Sequence, residues 1–311
     1  VSATSPTAKL RLAFAIDRND GHLYNATLSD GVTWETTLTG IRRTPNAGIG
    51  ARQNFWMEPS TLGASASQPN GSCAGYAVVS TTGAVTATIK TSDGITLTKS
   101  ISRGASGDVP FWSMMYANKG SLHGTLVISD QVAPTYDTVT GTFTWNKTGP
   151  SSTSDKTYAS GFDFGVGNAN TLSALGSEYR KPLSGTILWG LPVVVSPAVN
   201  AKVEFSSANI ETSAYYLLDS NNINKSFRLS TSHATSMPTP NLAVLSCTVS
   251  STTGEFSGKL TLKDGTPIVT RTVSYYGVTA PGHSRGRGWF TLPQLPVTTV
   301  QSGAVEFKSV P

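Results

Sequence analysis

The chain is predicted to be all-β, folded as two related antiparallel β-barrel or sandwich domains built from β-meander repeats. Three observations predict this. Ser80 to Gly94 (STTGAVTATIKTSDG) recurs without a gap as Ser251 to Gly265 (STTGEFSGKLTLKDG), 171 positions on. Apolar and polar residues alternate through both copies, the period of a strand with one buried face. Helical periodicity is missing from nearly the whole chain, which argues against an α/β layering.

Each copy reads as strand, turn, strand, turn, strand. Ser80-Thr81-Thr82-Gly83 turns because glycine takes positive φ without a Cβ clash and Ser/Thr bond the local backbone. Val85, Ala87 and Ile89 then alternate with Thr86, Thr88 and Lys90, and Asp93-Gly94 is a dipeptide favoured by hairpins. Phe256, Gly258, Leu260 and Leu262 repeat the pattern before Asp264-Gly265. A weaker third copy runs from Asp20-Gly21 to Asp30-Gly31. A lone hairpin is marginal in water, so these units need completion by other strands.

Taken in order, Leu10, Leu12, Phe14 and Ile16 form an amphipathic strand, followed by strands over 23–28 and 32–41. Thr44 to Gly50 is a loop, Phe55-Trp56-Met57 a short strand, and Tyr76 to Ser102 the first clear meander. Phe111 to Tyr116 (FWSMMY) is the densest apolar cluster of the first half, with strands at Leu122 to Ile128 and Thr140 to Trp145 beyond it. Asn168 to Arg180 has room for a short helix. Strands are expected at Thr186 to Val195, Ala201 to Phe205, Tyr215 to Leu218 and Phe227 to Leu229. The second meander spans Leu242 to Tyr276, and strands at Gly288 to Leu292 and Gly303 to Phe307 follow. The expected division is a first β domain over 1–147, with meanders at about 20–41 and 76–102. A connector with the short helix covers 148–182, and a second β domain, with its meander at 242–276, covers 183–311.

A chain of 311 residues suits two domains. With 38% hydrophobic and only 13% charged residues it does not have the composition of a disordered chain. No apolar run reaches the ~18–20 residues of a membrane span. The net charge of +5 is dispersed, with Arg42-Arg43 and Arg285/Arg287 the local clusters, so the basic stripe of a nucleic-acid binder is missing and no nucleic acid is expected as a partner. The chain starts at Val1 without a signal peptide, from which a removed targeting segment or a longer parent product is expected.

Cys73 and Cys247 precede the two repeats. Two readings stand. A disulfide between the halves suits an oxidising compartment. Two buried free thiols suit the parity of Cys247 with Leu245 and Val249.

The order GYAVVSTTGAVTATIKTSDG, PFWSMMYANKGSLHGTLVIS, GTFTWNK, YASGF, GSEYRKP, NLAVLSCTVSSTTGEFSGKLTLKDG, GRGWFTLP, SGAVEF resembles a β-rich repeat module of large exported proteins of Verrucomicrobia-type bacteria. The likeness covers most of the chain from about Gly31 onward. It implies an exported, modular, all-β segment at the cell surface or outside the cell. It implies no activity and transfers no functional residues.

The chemical motifs fail their context tests. Gly282-His283-Ser284-Arg285-Gly286 matches G-x-S-x-G, but a hydrolase elbow needs a helix after it, and a strand is expected here. His22, His123, His233 and His283 have no partner at zinc-ligand spacing, so no metal is expected. Asp20, Asp30, Asp93 and Asp264 precede glycines in turns, and no cofactor signature is present. No catalytic residue is nominated.

Among the six tryptophans, Trp56 and Trp112 abut apolar neighbours and read as core. Trp34 and Trp145 are flanked by polar residues and are the candidates for an exposed platform that stacks on sugar rings. The sequence therefore leads to a non-catalytic structural module that associates with itself or with neighbouring β modules. The alternative is a carbohydrate-binding module with a polysaccharide as partner.

Overall fold

The structure is a computed structural model and describes residues 10–18, 23–38, 40, 51–60, 67–152, 155–165, 171–210, 225–241, 243–264, 269–294 and 299–310. Three antiparallel sheets follow one another along the chain. The first holds β1 (Arg11–Ile16), β2 (Leu23–Ser29) and β3 (Glu35–Leu38), in that order.

The second sheet begins with β4 (Arg52–Pro59), β5 (Cys73–Val79), β6 (Ala84–Lys90) and β7 (Thr96–Ser102). It continues with β8 (Asp108–Met115), β9 (Gly120–Ser129), β10 (Thr138–Lys147), β11 (Phe162–Phe164) and β12 (Leu172–Tyr179). Its hydrogen-bonded order is β7-β6-β5-β4-β12-β10-β9-β8, with β11 added to β10. The third sheet contains β13 (Ala201–Ser207), β14 (Lys225–Leu229), β15 (Thr235–Ser236) and β16 (Ser246–Val249). Then come β17 (Glu255–Asp264), β18 (Val269–Ala280), β19 (Arg285–Pro293) and β20 (Val300–Ser309), in the order β15-β14-β13-β20-β19-β18-β17-β16.

In both large sheets the two strands at the ends of this order are consecutive in the chain. Each sheet is therefore a nearly closed up-and-down ring, with its seam between β7 and β8 or between β15 and β16. The Thr235 hydroxyl spans the second seam, donating to the Cys247 carbonyl at 2.5 Å. Closure leaves few free edges for aggregation.

Period-two alternation fills each ring. Phe55, Met57, Ile89, Phe111, Phe143 and Trp145 point into the first core. Val203, Phe205, Phe227, Phe256, Phe290 and Phe307 point into the second. There Phe307 stacks between Phe256 and Phe227, with ring centroids 5.4 and 5.7 Å away. Each such burial contributes about 1.5–3 kcal/mol.

The chain is thus all-β, and both full meanders form, β5-β6-β7 and β16-β17-β18. Gly83 and Gly94 have φ of 76° and 97°, the conformations their turns require. The two copies occupy different places in their rings. The first copy ends at its seam and the second begins at its own, so the repeat encodes strands and turns rather than a fixed ring position.

Two expectations are corrected. Residues 172–179, assigned to a connector with a short helix, form β12, which closes the first ring between β10 and β4. Leu172 and Ala174 face inward while Ser173 and Leu175 face outward, a strand period that the helical reading overlooked. β11 also belongs to this ring, so residues 162–164 and 172–179 are strands of it and not a linker. Thr186 to Val195 is not a strand. It makes a 3₁₀ turn at Leu188–Gly190, where Ile187, Leu188 and Leu191 are buried against the second core and Val193 and Val195 are exposed. An apolar run that covers the end of a ring needs no period-two pattern. The Asp20-Gly21 turn, Arg42-Arg43, the Thr44 to Gly50 loop and the strand expected at Tyr215 to Leu218 lie outside the described residues.

Candidate functional site

A cluster of strongly perturbed titratable groups lies inside the first ring. The Asp93-Gly94 turn sends the Asp93 carboxylate inward, where it accepts from Thr91 Oγ1 and from the Tyr116 hydroxyl, both at 2.5 Å. Trp145 Nε1 in turn donates to the Tyr116 oxygen at 3.0 Å. The buried Lys147 pairs with Asp155 at 2.8 Å, donates to the Thr157 carbonyl, and lies 4.9 Å from the Tyr116 ring centroid. Burial raises Asp93 above the usual carboxylate range, against the pull of the Thr91 and Tyr116 hydrogen bonds and the Lys147 charge. Burial, reinforced by the Asp93 charge, pushes the Tyr116 phenol far upward. Asp155 goes the other way. Burial opposes its ionisation, but Lys147 and the Ser151 donors outweigh it and hold the carboxyl well below its ordinary value. Perturbed groups of this kind mark reactive sites when they line a cleft. Here they bond to one another and tie the β6–β7 turn, the β8–β9 turn and the segment after β10 into one end of the ring.

A second polar constellation joins the two rings. The Ser251–Gly254 turn of the second repeat docks on β4 and β12. Asn54 Nδ2 donates to the carbonyls of Thr253 at 2.8 Å and Thr279 at 2.9 Å, and the Tyr179 hydroxyl donates to the Ser251 carbonyl at 2.7 Å. A Cβ on Gly254 would strike the Tyr179 ring. Ion pairs surround this contact: Arg52 with Glu255 at 3.6 Å and Arg287 with Glu58 at 3.2 Å. Lys90 stands 3.6 Å over the Tyr276 ring. The segment after β10 reaches β20, where Ser302 N donates to the Tyr158 hydroxyl at 2.7 Å.

The G-x-S-x-G loop belongs to this junction. It is the turn between β18 and β19, with Pro281–His283 in a 3₁₀ turn and Ser284 left-handed at φ 51°. Gly282 N bonds Ser177 Oγ at 3.0 Å, and His283 Nε2 donates to the Gly176 carbonyl at 3.1 Å. A strand follows it, as expected, and its contacts join the two rings. The Arg285/Arg287 cluster is likewise engaged, with both guanidinium groups within ion-pair reach of Glu306.

The tryptophans fall differently from the sequence assignment. Trp145, a platform candidate, is 1% exposed in the first core, stacked on Phe164 at 5.8 Å. Its polar neighbours in sequence occupy the other face of β10, so flanking polarity was the wrong guide. Trp112, assigned to the core, is 58% exposed. Within FWSMMY, Phe111, Ser113 and Met115 are buried while Trp112 and Met114 point out. The period-two rule would have found this, had the cluster not been read as one apolar block. Trp34 is 44% exposed in the turn before β3, its backbone N–H bonded to Asp30. Trp34 and Trp145 therefore do not form a common platform, while Trp56 is buried as expected.

Trp112 sits directly across from His123, and His123 across from Thr144, on the outer face of β8, β9 and β10. Beside them is a shallow groove of about 760 Å³, lined by Asp108, His123, Thr125, Thr140, Thr142 and Thr144, with Gly124 and Gly141 among its backbone. At these two glycines a Cβ would strike the carbonyl oxygens of Thr142 and Thr125, so β9 and β10 approach too closely for any side chain there.

Cys73 and Cys247 are both free and buried, one in each ring core, so they form no bridge. Burial pushes both thiols up to about 12. His22 lies outside the described residues, His233 is in the turn after β14, and His123 and His283 are in the groove and the junction. Among the described residues no group of three His, Cys, Asp or Glu side chains is placed to hold a metal ion, and no helix is long and apolar enough to cross a membrane.

No protein-family model matches the chain, and no curated protein matches it in sequence.

Proposed function

We propose that this chain is a non-catalytic structural module of an exported, cell-surface or extracellular assembly, and that it associates with copies of itself through the β1-β2-β3 sheet. One observation carries the reading. Leu10, Leu12, Phe14 and Ile16, the alternate residues leading into and along β1, are all more than half exposed. Among the described residues β1 pairs only with β2, so its other edge is open. The two longer meanders are completed into rings, and among the described residues this three-stranded unit is not. An apolar row on an open edge strand is the feature that natural sheets avoid unless another strand covers it. The perturbed groups of the first ring support the non-catalytic half of the reading, because their polar atoms are engaged with each other.

Sedimentation velocity over a concentration series tests it. The full chain should associate as concentration rises, and Leu12→Lys/Phe14→Lys should remain monomeric with an unchanged melting temperature. A wild-type chain that stays monomeric up to its solubility limit would overturn the reading.

A second reading, polysaccharide binding, is favoured by a different observation: exposed Trp112 stands beside strands whose outward residues carry hydroxyl groups.

A further inference from the structure

We infer that the outer face of β8, β9 and β10 is a binding site for a neutral polysaccharide chain, with Trp112 as the stacking residue. This rests on the second reading above and gives it a location.

The argument starts from what the face presents. Trp112 offers an indole that the ring core does not use, and Met114 extends the same apolar strip two residues along β8. A pyranose ring has a C–H face that packs on an indole and an equatorial rim of hydroxyls that must be hydrogen-bonded as they leave water. The neighbouring strands supply that second half. His123 is the cross-strand partner of Trp112, and Thr144 is the next residue in the same row. Thr138, Thr140, Thr142 and Thr144 occupy alternate positions of β10 and so share its outer face. Each hydroxyl can donate and accept, as each sugar hydroxyl can.

Size and charge narrow the ligand. A groove of about 760 Å³ is in the range of small-ligand sites and holds more than one sugar ring. Among the described residues lining it there is no Lys or Arg, so a phosphate, sulfate or uronate would find no counter-charge. The one carboxylate in the lining, Asp108, is engaged by the Ser106 hydroxyl. Glycoside hydrolysis by the usual route needs a pair of carboxylates flanking the bond, so this face is suited to holding a chain and not to cutting it. The open, shallow shape suits the side of a long polymer better than an enclosed monosaccharide.

The test is native electrophoresis of the full chain in gels cast with xyloglucan or galactomannan, with dextran sulfate as the charged control. The expected result is retardation by a neutral polymer and not by dextran sulfate. Trp112→Ala should weaken it at least about tenfold, the scale of losing one aromatic stack, and Thr142→Ala should weaken it less. Because Trp112 is exposed, the melting temperature should be unchanged, and the monomeric Leu12→Lys/Phe14→Lys variant should bind as the wild type does. If the wild type is not retarded by either neutral polymer, both the polysaccharide reading and this site are overturned. If Trp112→Ala binds as well as the wild type and Trp34→Ala does not, the polysaccharide reading survives and this site is overturned. Loss of self-association in Trp112→Ala, with retardation retained, would make the face a protein interface and overturn the site equally.

Discussion

The His283 imidazole meets the Trp56 indole edge-on, with ring centroids 5.7 Å apart and planes at 69°. Trp56 belongs to the first ring and His283 to the turn between β18 and β19 of the second, so this pair joins the two halves of the molecule. It explains why β4 is buried on both faces. Phe55 and Met57 fill the first core, while Asn54 and Trp56 face the second ring.

Truncating this junction should couple stability across both rings. Trp56→Ala is expected to cost about 3–5 kcal/mol, as large aromatic deletions do, and His283→Ala about 1 kcal/mol for the lost bond to Gly176 and the ring contact. Urea unfolding followed separately by near-ultraviolet circular dichroism and tryptophan fluorescence checks this. The wild type should show coincident transitions, and Trp56→Ala should separate them. Coincident, unshifted transitions in Trp56→Ala would mean that the junction contributes nothing.

The Lys147–Asp155 pair sets an acid limb of stability. The folded-state pKa of Asp155 is depressed, so its contribution is present above the ordinary value of 3.8 and is lost as pH falls below it. Asp93 has the opposite sign. Its folded pKa is raised, so protonation on acidification relieves the cost of a buried charge. Asp155→Asn should therefore cost about 3 kcal/mol at neutral pH, because it strips the partner from a buried ammonium, and should flatten the fall in urea midpoint between pH 5 and pH 2. Asp93→Asn should steepen it. Parallel curves for all three proteins would remove the pair from the account.

Two buried thiols in separate cores predict a simple titration. Native protein at pH 8 should react with an aromatic disulfide reagent at a negligible rate, since burial holds both thiols at about 12. Two equivalents should appear after unfolding in guanidinium without reductant. A zero reading there would mean that a bridge exists.

The two platform candidates from the sequence should now separate. Trp145→Ala should destabilise by about 3–5 kcal/mol, because it opens a cavity and leaves the Tyr116 oxygen without its donor. Trp34→Ala, half-exposed in a turn, should stay within about 0.5 kcal/mol. Equal melting temperatures for the two variants would contradict the burial of Trp145.

The sequence by itself determined what is local. Period-two alternation and the Ser-Thr-Thr-Gly and Asp-Gly turns specify strands β5 to β7 and β16 to β18, because strand period and positive-φ turns are properties of a few adjacent residues. Parity alone placed Cys247 in a core, and the strand following Ser284 was enough to set the hydrolase elbow aside. The tertiary structure alone decided what depends on residues far apart. β4 and β12 close the first ring with Arg52 paired to Tyr179, a register that no local pattern in Leu172 to Tyr179 announces. Closure then determined which side of each strand is inside, sending Trp145 to the core and Trp112 to the surface, against the polarity of their sequence neighbours. It also placed the two cysteines in different cores. The physical reason is that a strand's face acquires an inside only when distant strands cover it, whereas the turn that begins the strand is held by its own backbone.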